Sequence, residues 1–91
     1  MSGAVRTVLI VNKRGLHARA SAKFVTMASG IGARVEVEKD GSKVVGTSIM
    51  GLMMLGAAMG DEIVISAQGD GAEAAVHSLA ELVEAKFHEA E

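Results

Sequence analysis

The sequence predicts an α+β fold in which one four-stranded antiparallel sheet carries three helices on one face. Four segments have the composition or alternation of β-strands, and three repeat apolar residues at helical spacing. Their order along the chain is β-α-β-β-α-β-α, and a hairpin signature joins the second and third strands. Because 91 residues suffice for one modest core, we expect a single domain over residues 1–91.

The strands are predicted at residues 5–11, 34–38, 43–45 and 62–67. The first is a β-branched run, and the second alternates polar and apolar side chains, as is typical of a strand with one buried face. The dipeptide Asp40-Gly41 predicts the tight turn between the second and third strands, since both residue types tolerate the backbone angles of such turns.

The helices are predicted at residues 18–29, 49–55 and 72–88. Gly30 and Gly32 end the first helix, and Ser48 is placed to cap the second. The third helix has a continuous apolar stripe that should face the sheet. This stripe consists of Ala72, Ala75, Val76, Leu79, Leu82, Val83 and Phe87.

Composition narrows the classes of function. Cysteine is absent, which excludes disulfides and thiolate metal sites and agrees with a cytoplasmic location. The net charge is −2 and two Phe are the only aromatic residues, so we expect no nucleic-acid partner. We find no signal peptide, no membrane-spanning run and no histidine–carboxylate spacing suited to a metal ion. We therefore expect no cofactor.

A histidine stands where the first loop meets the first helix. Residues 15–21 read Gly-Leu-His-Ala-Arg-Ala-Ser, which puts His17 at the first turn and Arg19 two residues later. The first N–H groups of a helix have no intrahelical partner, and the helix dipole adds positive charge there. A phosphoryl group on His17 would be bound by these donors and by the planar guanidinium of Arg19. Since a neutral imidazole is nucleophilic, the pattern favours a histidine that accepts and passes on a phosphoryl group.

A purely structural interpretation of these residues also exists. His17 would then merely cap the helix, and Arg19 would be a solvated surface residue. The position of Arg19 argues against this, because a cation is disfavoured at a helix N-terminus unless an anion lies nearby.

The second predicted helix allows two interpretations as well. Ser48 is a preferred N-cap residue, which explains it without any regulatory role. Methionines on a short helix are usually core residues, yet residues 49–55 are apolar nearly all round and cannot all be buried. An exposed methionine surface suits contact with several partners, because the side chain is flexible and polarizable.

Two motifs of the chain resemble those of a known family. The segment Gly15-Leu16-His17-Ala18-Arg19 resembles the active-site signature of HPr, the histidine-containing phosphocarrier of the bacterial phosphoenolpyruvate-dependent phosphotransferase system. Residues 48–56 resemble the HPr serine-phosphorylation region. The resemblance extends over residues 5–87 and implies an HPr-like open-faced β-sandwich.

The resemblance also implies a cycle and its partners. His17 would be phosphorylated on Nδ1 by Enzyme I and would pass the group to an EIIA-type domain, with Arg19 as its electrostatic partner. Ser48 matches the serine that HPr kinase/phosphorylase modifies in some bacteria. The chain would be a monomeric carrier and not itself an enzyme. The docking surface implied by matching positions consists of Ala20, Lys23, Ile49, Met50 and Met53.

Two positions depart from the family's pattern. Ala20 replaces the proline that usually follows the arginine, which bears on the rigidity of the first helical turn. Thr47 stands where many members have lysine, so one positive charge beside Ser48 is missing. The alternative function, from a different class, is a small regulatory or ligand-binding module in which His17 has no special chemistry.

Overall fold

The computed structural model describes residues 3–90 and contains the predicted order of strands and helices. The elements are β1 (Gly3–Leu9), α1 (Ala18–Ser29), β2 (Arg34–Lys39), β3 (Ser42–Val45), α2 (Ile49–Met54), β4 (Glu62–Gln68) and α3 (Ala72–Glu84). The α+β class predicted from the sequence is therefore confirmed.

The four strands form one antiparallel sheet in the order β1-β4-β2-β3. Along β4, Ile63, Ile65 and Ala67 are buried, while the residues between them are partly exposed. Helix α3 packs on β1 and β4, and α1 packs against α2 and α3. The other face of the sheet is open, and Val5 on β1 is 71% exposed there.

The first strand is shifted towards the N-terminus relative to its predicted range of 5–11. Its ladder with β4 runs from Gly3 opposite Gln68 to Leu9 opposite Glu62. Ile10 still donates its N–H to the Asp61 carbonyl at 2.8 Å, but the chain then turns away from the sheet. A β-branched run identifies a strand better than it identifies the strand's ends, because the pairing partner decides where the ladder stops.

The predicted hairpin turn is confirmed at Asp40-Gly41. Their φ angles are +51° and +86°, so both residues occupy the left-handed region that the tight hairpin turn requires. The turn fixes the register of β2 and β3, in which Val37 lies opposite Val44.

The predicted third helix is too long, because α3 ends at Glu84 rather than at residue 88. A short turn, Lys86–His88, follows it, and its three residues have φ angles of +57°, +55° and +59°. We call it the left-handed turn. It reverses the chain and inserts Phe87 completely into the core, which contributes on the order of 2 to 3 kcal/mol of hydrophobic stabilisation.

The apolar stripe predicted for the third helix is buried along its whole length, and it joins residues of α1 and the sheet in a single core. The largest fully buried apolar side chains are Phe24, Phe87, Ile10, Leu52, Ile63, Ile65 and Leu79. Within residues 3–90, no helix has both the length and the apolar character needed to cross a membrane.

Candidate functional site

The loop before α1 is shaped by a close approach to the segment that follows α2. The Leu16 N–H donates to the Ala57 carbonyl at 3.0 Å, and Gly15 adopts a φ of +61°. A β-carbon built on Gly15 would lie 2.3 Å from the Ala57 oxygen and 2.9 Å from the Ala58 Cα. Only glycine fits at position 15, since it satisfies both the backbone angle and the contact.

His17 is the N-cap residue of α1. Its carbonyl accepts the first intrahelical hydrogen bond, from the Ser21 N–H at 2.9 Å, so the N–H groups of residues 18–20 have no acceptor within the helix. The buried Ser21 hydroxyl donates to the Leu16 carbonyl at 3.1 Å, which ties the loop to the helix. The imidazole therefore projects from the positive end of the helix dipole, as the sequence predicts.

The imidazole of His17 contacts a carboxylate from the far end of the chain. Its Nε2 lies within hydrogen-bonding contact of Glu89 Oε2, and both side chains are largely covered, at 15% and 12% exposure. Asn12 Nδ2 donates to the second oxygen, Glu89 Oε1, at 3.1 Å and also to the Gly15 carbonyl at 2.9 Å. The Asn12 amide thereby links residues 12–17, which we call the histidine loop, to the C-terminal tail, residues 85–90.

Two further contacts hold the C-terminal tail in place. Phe87 anchors it in the core, and Lys23 Nζ on α1 donates to the Phe87 carbonyl at 2.7 Å. Asn12 is completely buried, and its Oδ1 has no hydrogen-bond partner among the described residues. A buried amide oxygen without a partner costs about 1 to 3 kcal/mol of stability. This cost at Oδ1 offsets part of the stabilisation that the hydrogen bonds of Asn12 Nδ2 provide.

The surroundings of Glu89 favour its ionised form. Burial alone would raise the pKa of this carboxyl, but hydrogen bonds from His17 and Asn12, together with the charges of His17 and Lys23, lower it overall. The side chain is therefore a carboxylate at neutral pH, and it can only accept hydrogen bonds.

A cleft rich in cationic side chains opens beside this contact. We call it the basic cleft; its volume is about 350 Å³, and it is lined by Lys13, Arg14, Arg19, Lys23, His88, Glu89 and Ala90. Arg19 is exposed and forms no ion pair with any residue of the range 3–90. Side chains of this charge attract anions, and bidentate guanidinium contacts suit phosphoryl oxygens in particular.

The N-cap predicted at Ser48 is confirmed. Its hydroxyl oxygen accepts a hydrogen bond from the Gly51 N–H at 2.9 Å at the start of α2. Beyond it, Ile49, Met50 and Met53 are 42%, 70% and 41% exposed, whereas Leu52 is fully buried. We call Ile49, Met50 and Met53 the apolar patch; Met54, at the end of α2, is 79% exposed as well. Helix α2, which carries the patch, packs against α1, the helix that begins at His17.

Ala20 does not belong to this surface, because its side chain is fully buried in the core. The resemblance places it beside the docking residues, but Ala20 lies on the buried face of α1 that also carries Phe24 and Ala28. Lys23 is half-buried and directs its ammonium group to the C-terminal tail.

Three residues of the site escape the sequence analysis. Asn12 resembles an ordinary loop residue, and Ser21 an ordinary polar residue within a helix. Glu89 lies beyond the predicted helix, and no motif marks it. The sequence indicates a role for Asn12 and Ser21 only in that both are polar residues on either side of Gly15. It gives no such indication for Glu89, because the contact of Glu89 with His17 depends on the left-handed turn.

The comparison with protein families agrees with this geometry. The family model described as "PTS HPr component phosphorylation site" matches residues 4–85 of the chain. The chain belongs to the HPr family. HPr proteins are phosphocarriers of the phosphotransferase system, so the function predicted from the two motifs is confirmed at the level of the family.

Individual relatives cover nearly all of the chain. The phosphocarrier protein HPr of Neisseria meningitidis serogroup A is 45% identical over 86 residues, which cover 94% of this chain and 97% of the relative. The phosphocarrier protein NPr of Shewanella violacea is 40% identical and covers 99% of both chains. The crystal structure of HPr-C-His from Thermoanaerobacter tengcongensis superposes with a TM-score of 0.89 at 45% identity and covers 100% of both chains. The open-faced arrangement expected from the HPr resemblance is thereby confirmed.

Proposed function

We propose that His17 is the residue that carries the phosphoryl group, received from phospho-Enzyme I and donated to an EIIA-type domain. The single observation that supports this most is the position of His17, at the N-terminus of α1 and in contact with a residue that lines the basic cleft. In this proposal the chain acts as a monomeric carrier in the cytoplasm, and its partners supply the catalytic machinery.

The geometry suits a transfer that depends on positioning and charge. The neutral imidazole attacks the phosphorus atom in line with the bond that breaks, through a loose transition state whose charge spreads over the phosphoryl oxygens. The unpaired N–H groups at the start of α1 and the guanidinium of Arg19 stabilise these oxygens. Because Arg19 and the cleft are open to solvent, they stabilise the product without enclosing it, and the group can leave again.

Incubation with phosphoenolpyruvate and Enzyme I tests the proposal directly. Intact mass should show the gain of one acid-labile phosphoryl group, and fragmentation of the phosphorylated chain should place it on His17. Addition of purified EIIA-type domains, one at a time, should then remove the group and identify the acceptor. A chain that gains no phosphoryl group under these conditions would instead be a regulatory or binding module.

Arg19→Ala should slow phosphoryl transfer by an order of magnitude or more, because it removes one of the charges that stabilise the phosphoryl oxygens. Thermal stability should change little, since Arg19 is exposed and forms no ion pair within residues 3–90. Rapid-quench kinetics with phospho-Enzyme I and a thermal melt measure the two quantities.

Arg34→Ala is the charge-matched control for this variant. Arg34 lies at the start of β2 and is exposed, with its Nη2 3.9 Å from Glu36 Oε2. The Arg34→Ala variant should leave the rate of phosphoryl transfer unchanged. If both variants transfer at the normal rate, Arg19 is an ordinary surface residue.

We further propose that the apolar patch, with Lys23 beside it, docks Enzyme I, and that Ser48 is a regulatory phosphorylation site modified by an HPr kinase/phosphorylase. A phosphate on Ser48 would lie at the helix N-terminus and gain charge-assisted hydrogen bonds, so α2 should not melt. Its charge of about −2 would instead have to be desolvated when the neighbouring patch is buried against a partner.

Ser48→Asp should therefore keep or slightly raise the melting temperature, since aspartate is as good an N-cap as serine. The same variant should weaken phosphorylation of His17 by Enzyme I, seen as a raised KM when the carrier concentration is varied. Ser48→Ala is the matched control: it should lose about 1 kcal/mol of stability with the cap but leave the Enzyme I kinetics unchanged. Unaltered kinetics for Ser48→Asp would reduce Ser48 to a helix cap.

A further inference from the structure

The contact between His17 and the C-terminal tail bears on which ring nitrogen can react. Glu89 Oε2 faces Nε2 of the imidazole, while Asn12 holds the other carboxylate oxygen. An ionised carboxylate only accepts hydrogen bonds, so the Nε2 that faces it carries the proton. The lone pair of the neutral ring is then on Nδ1, on the side of the ring that Glu89 leaves open.

From this geometry we propose that Glu89 is a positioning residue for phosphoryl transfer, which holds the His17 imidazole in its Nε2–H form and so presents Nδ1 as the nucleophile. The inference rests on the proposed function of His17 and deepens it. It assigns a role to a residue 72 positions further along the chain, on a segment that no sequence motif marks.

The carboxylate also suits the charge that the reaction creates. When the Nδ1 lone pair forms the N–P bond, the bond between phosphorus and the donor breaks and its electron pair leaves with the donor. The ring of His17 keeps its Nε2 proton and becomes a phosphorylated imidazolium with one positive charge. That charge appears next to the Glu89 carboxylate, which lies on the opposite side of the ring from the new phosphoryl group.

Several features show that the position of Glu89 is well defined. Asn12 donates to it from a fully buried amide, Phe87 is inserted in the core two residues earlier, and Lys23 donates to the Phe87 carbonyl. The three residues before Glu89 all adopt positive φ angles without a glycine among them. Backbone strain of this kind persists where the surrounding structure over-determines the conformation, and it is found preferentially at functional sites.

The charges around the pair come from three segments. Lys13 and Arg14 belong to the loop before α1, Arg19 and Lys23 to α1, and His88 to the tail itself. All of them are cationic or can become so, which leaves Glu89 as the anionic side chain of the basic cleft within the described residues. Removal of this one carboxylate therefore changes the electrostatic potential at His17, and the change can be assigned to Glu89.

Nuclear magnetic resonance of the 15N-labelled chain, without any partner, tests the proposal first. The Nε2–H proton of His17 should give a signal protected from exchange with water and shifted to low field by the carboxylate. Glu89→Ala should abolish this protection and move the ring towards the mixture of tautomers of an exposed histidine. Glu89→Gln should favour the Nδ1–H form, because its single amide oxygen accepts from Asn12 Nδ2 and its NH2 group then donates to His17 Nε2.

Transfer from phospho-Enzyme I is the second measurement. Glu89→Ala should lower kcat on the order of tenfold and leave KM unchanged, because the imidazolium loses its carboxylate partner and part of the ring population carries the proton on Nδ1. Glu89→Gln should lower kcat at least as far, because it loses the charge and also places the ring proton on Nδ1, where the nucleophilic lone pair is needed.

The control is a second histidine–glutamate pair on the same chain. His77 Nε2 lies 3.3 Å from Glu81 Oε2 on the exposed side of α3. Glu81→Ala should alter the spectrum of His77 alone and leave transfer unchanged.

The results separate this proposal from the one on which it rests. Wild-type protein that gains no phosphoryl group overturns the role of His17, whatever the spectra show. If the wild type is phosphorylated but Glu89→Ala transfers equally fast, or if Nε2 of the wild type carries no proton, the role of Glu89 is refuted. Faster transfer by Glu89→Ala would also refute it, since the carboxylate would then obstruct the donor.

Discussion

His17→Ala is expected to abolish acceptance of the phosphoryl group from phospho-Enzyme I. The methyl group that remains has no nucleophilic atom, and neither the N–H groups at the start of α1 nor Arg19 can bond covalently to phosphorus. The fold should persist, because the imidazole is not part of the hydrophobic core and the helix hydrogen bond between His17 and Ser21 uses the backbone. Intact mass after incubation with phosphoenolpyruvate and Enzyme I measures the loss.

The two other histidines of the chain serve as controls for this variant. His77 and His88 are both exposed, and His77 lies on α3 while His88 lies in the C-terminal tail. His77→Ala should be phosphorylated like the wild type. An acid-labile phosphoryl group on the His17→Ala chain would show that the reactive residue lies elsewhere.

Gly15→Ala should strongly destabilise the folded protein. The left-handed backbone at Gly15 costs a non-glycine residue about 1 to 2 kcal/mol. The new β-carbon would in addition press on the backbone of Ala57 and Ala58, and overpacking of this kind costs about 1 to 3 kcal/mol. We expect the free energy of unfolding to fall by roughly 2 to 5 kcal/mol, measured by denaturant titration.

Two other glycines separate these contributions. Gly41 also has a positive φ, +86°, but no atom lies within 4 Å of a β-carbon built there, so Gly41→Ala should show the backbone cost alone. Gly32 has neither feature, and Gly32→Ala should be nearly neutral. If Gly15→Ala is no more destabilising than Gly41→Ala, the contact with Ala57 is easily relaxed and does not fix the loop. If the contact is rigid, the variant should also transfer phosphoryl groups more slowly, because Leu16 and His17 shift with it.

The sheet and the first two helices follow from local patterns. Alternation in residues 34–38 places Val35 and Val37 in the core, and the Asp40-Gly41 turn sets the register of the hairpin. These patterns succeed because the period of a strand or helix is a property of the backbone, whichever tertiary partner covers the apolar face. Strand β1 shows the limit: its ends depend on β4, and the sequence places them two residues too far along the chain.

The candidate site likewise contains residues that local sequence patterns identify and residues that they do not. His17, Arg19 and Ser48 are recognisable because each proposed function depends on a helix start, and helix starts have local sequence signatures. Glu89 is not recognisable, because its contact with His17 joins residues 72 positions apart through a turn that contains no glycine. The helical periodicity that correctly buries Phe87 also predicts, wrongly, that the helix continues to residue 88.

The left-handed turn makes the end of the chain a separate unit of opening. The left-handed conformation costs each of its three residues about 1 to 2 kcal/mol relative to a right-handed one. This cost lowers the stability of the tail and not that of the sheet. Detachment of residues 88–90 therefore requires far less free energy than global unfolding, and the amide hydrogens of His88 and Glu89 should exchange with solvent well before those of β4. Such opening would release the carboxylate from His17 while the sheet stays folded, so the closed tail, held by Asn12 and Lys23, is the state that shields the imidazole.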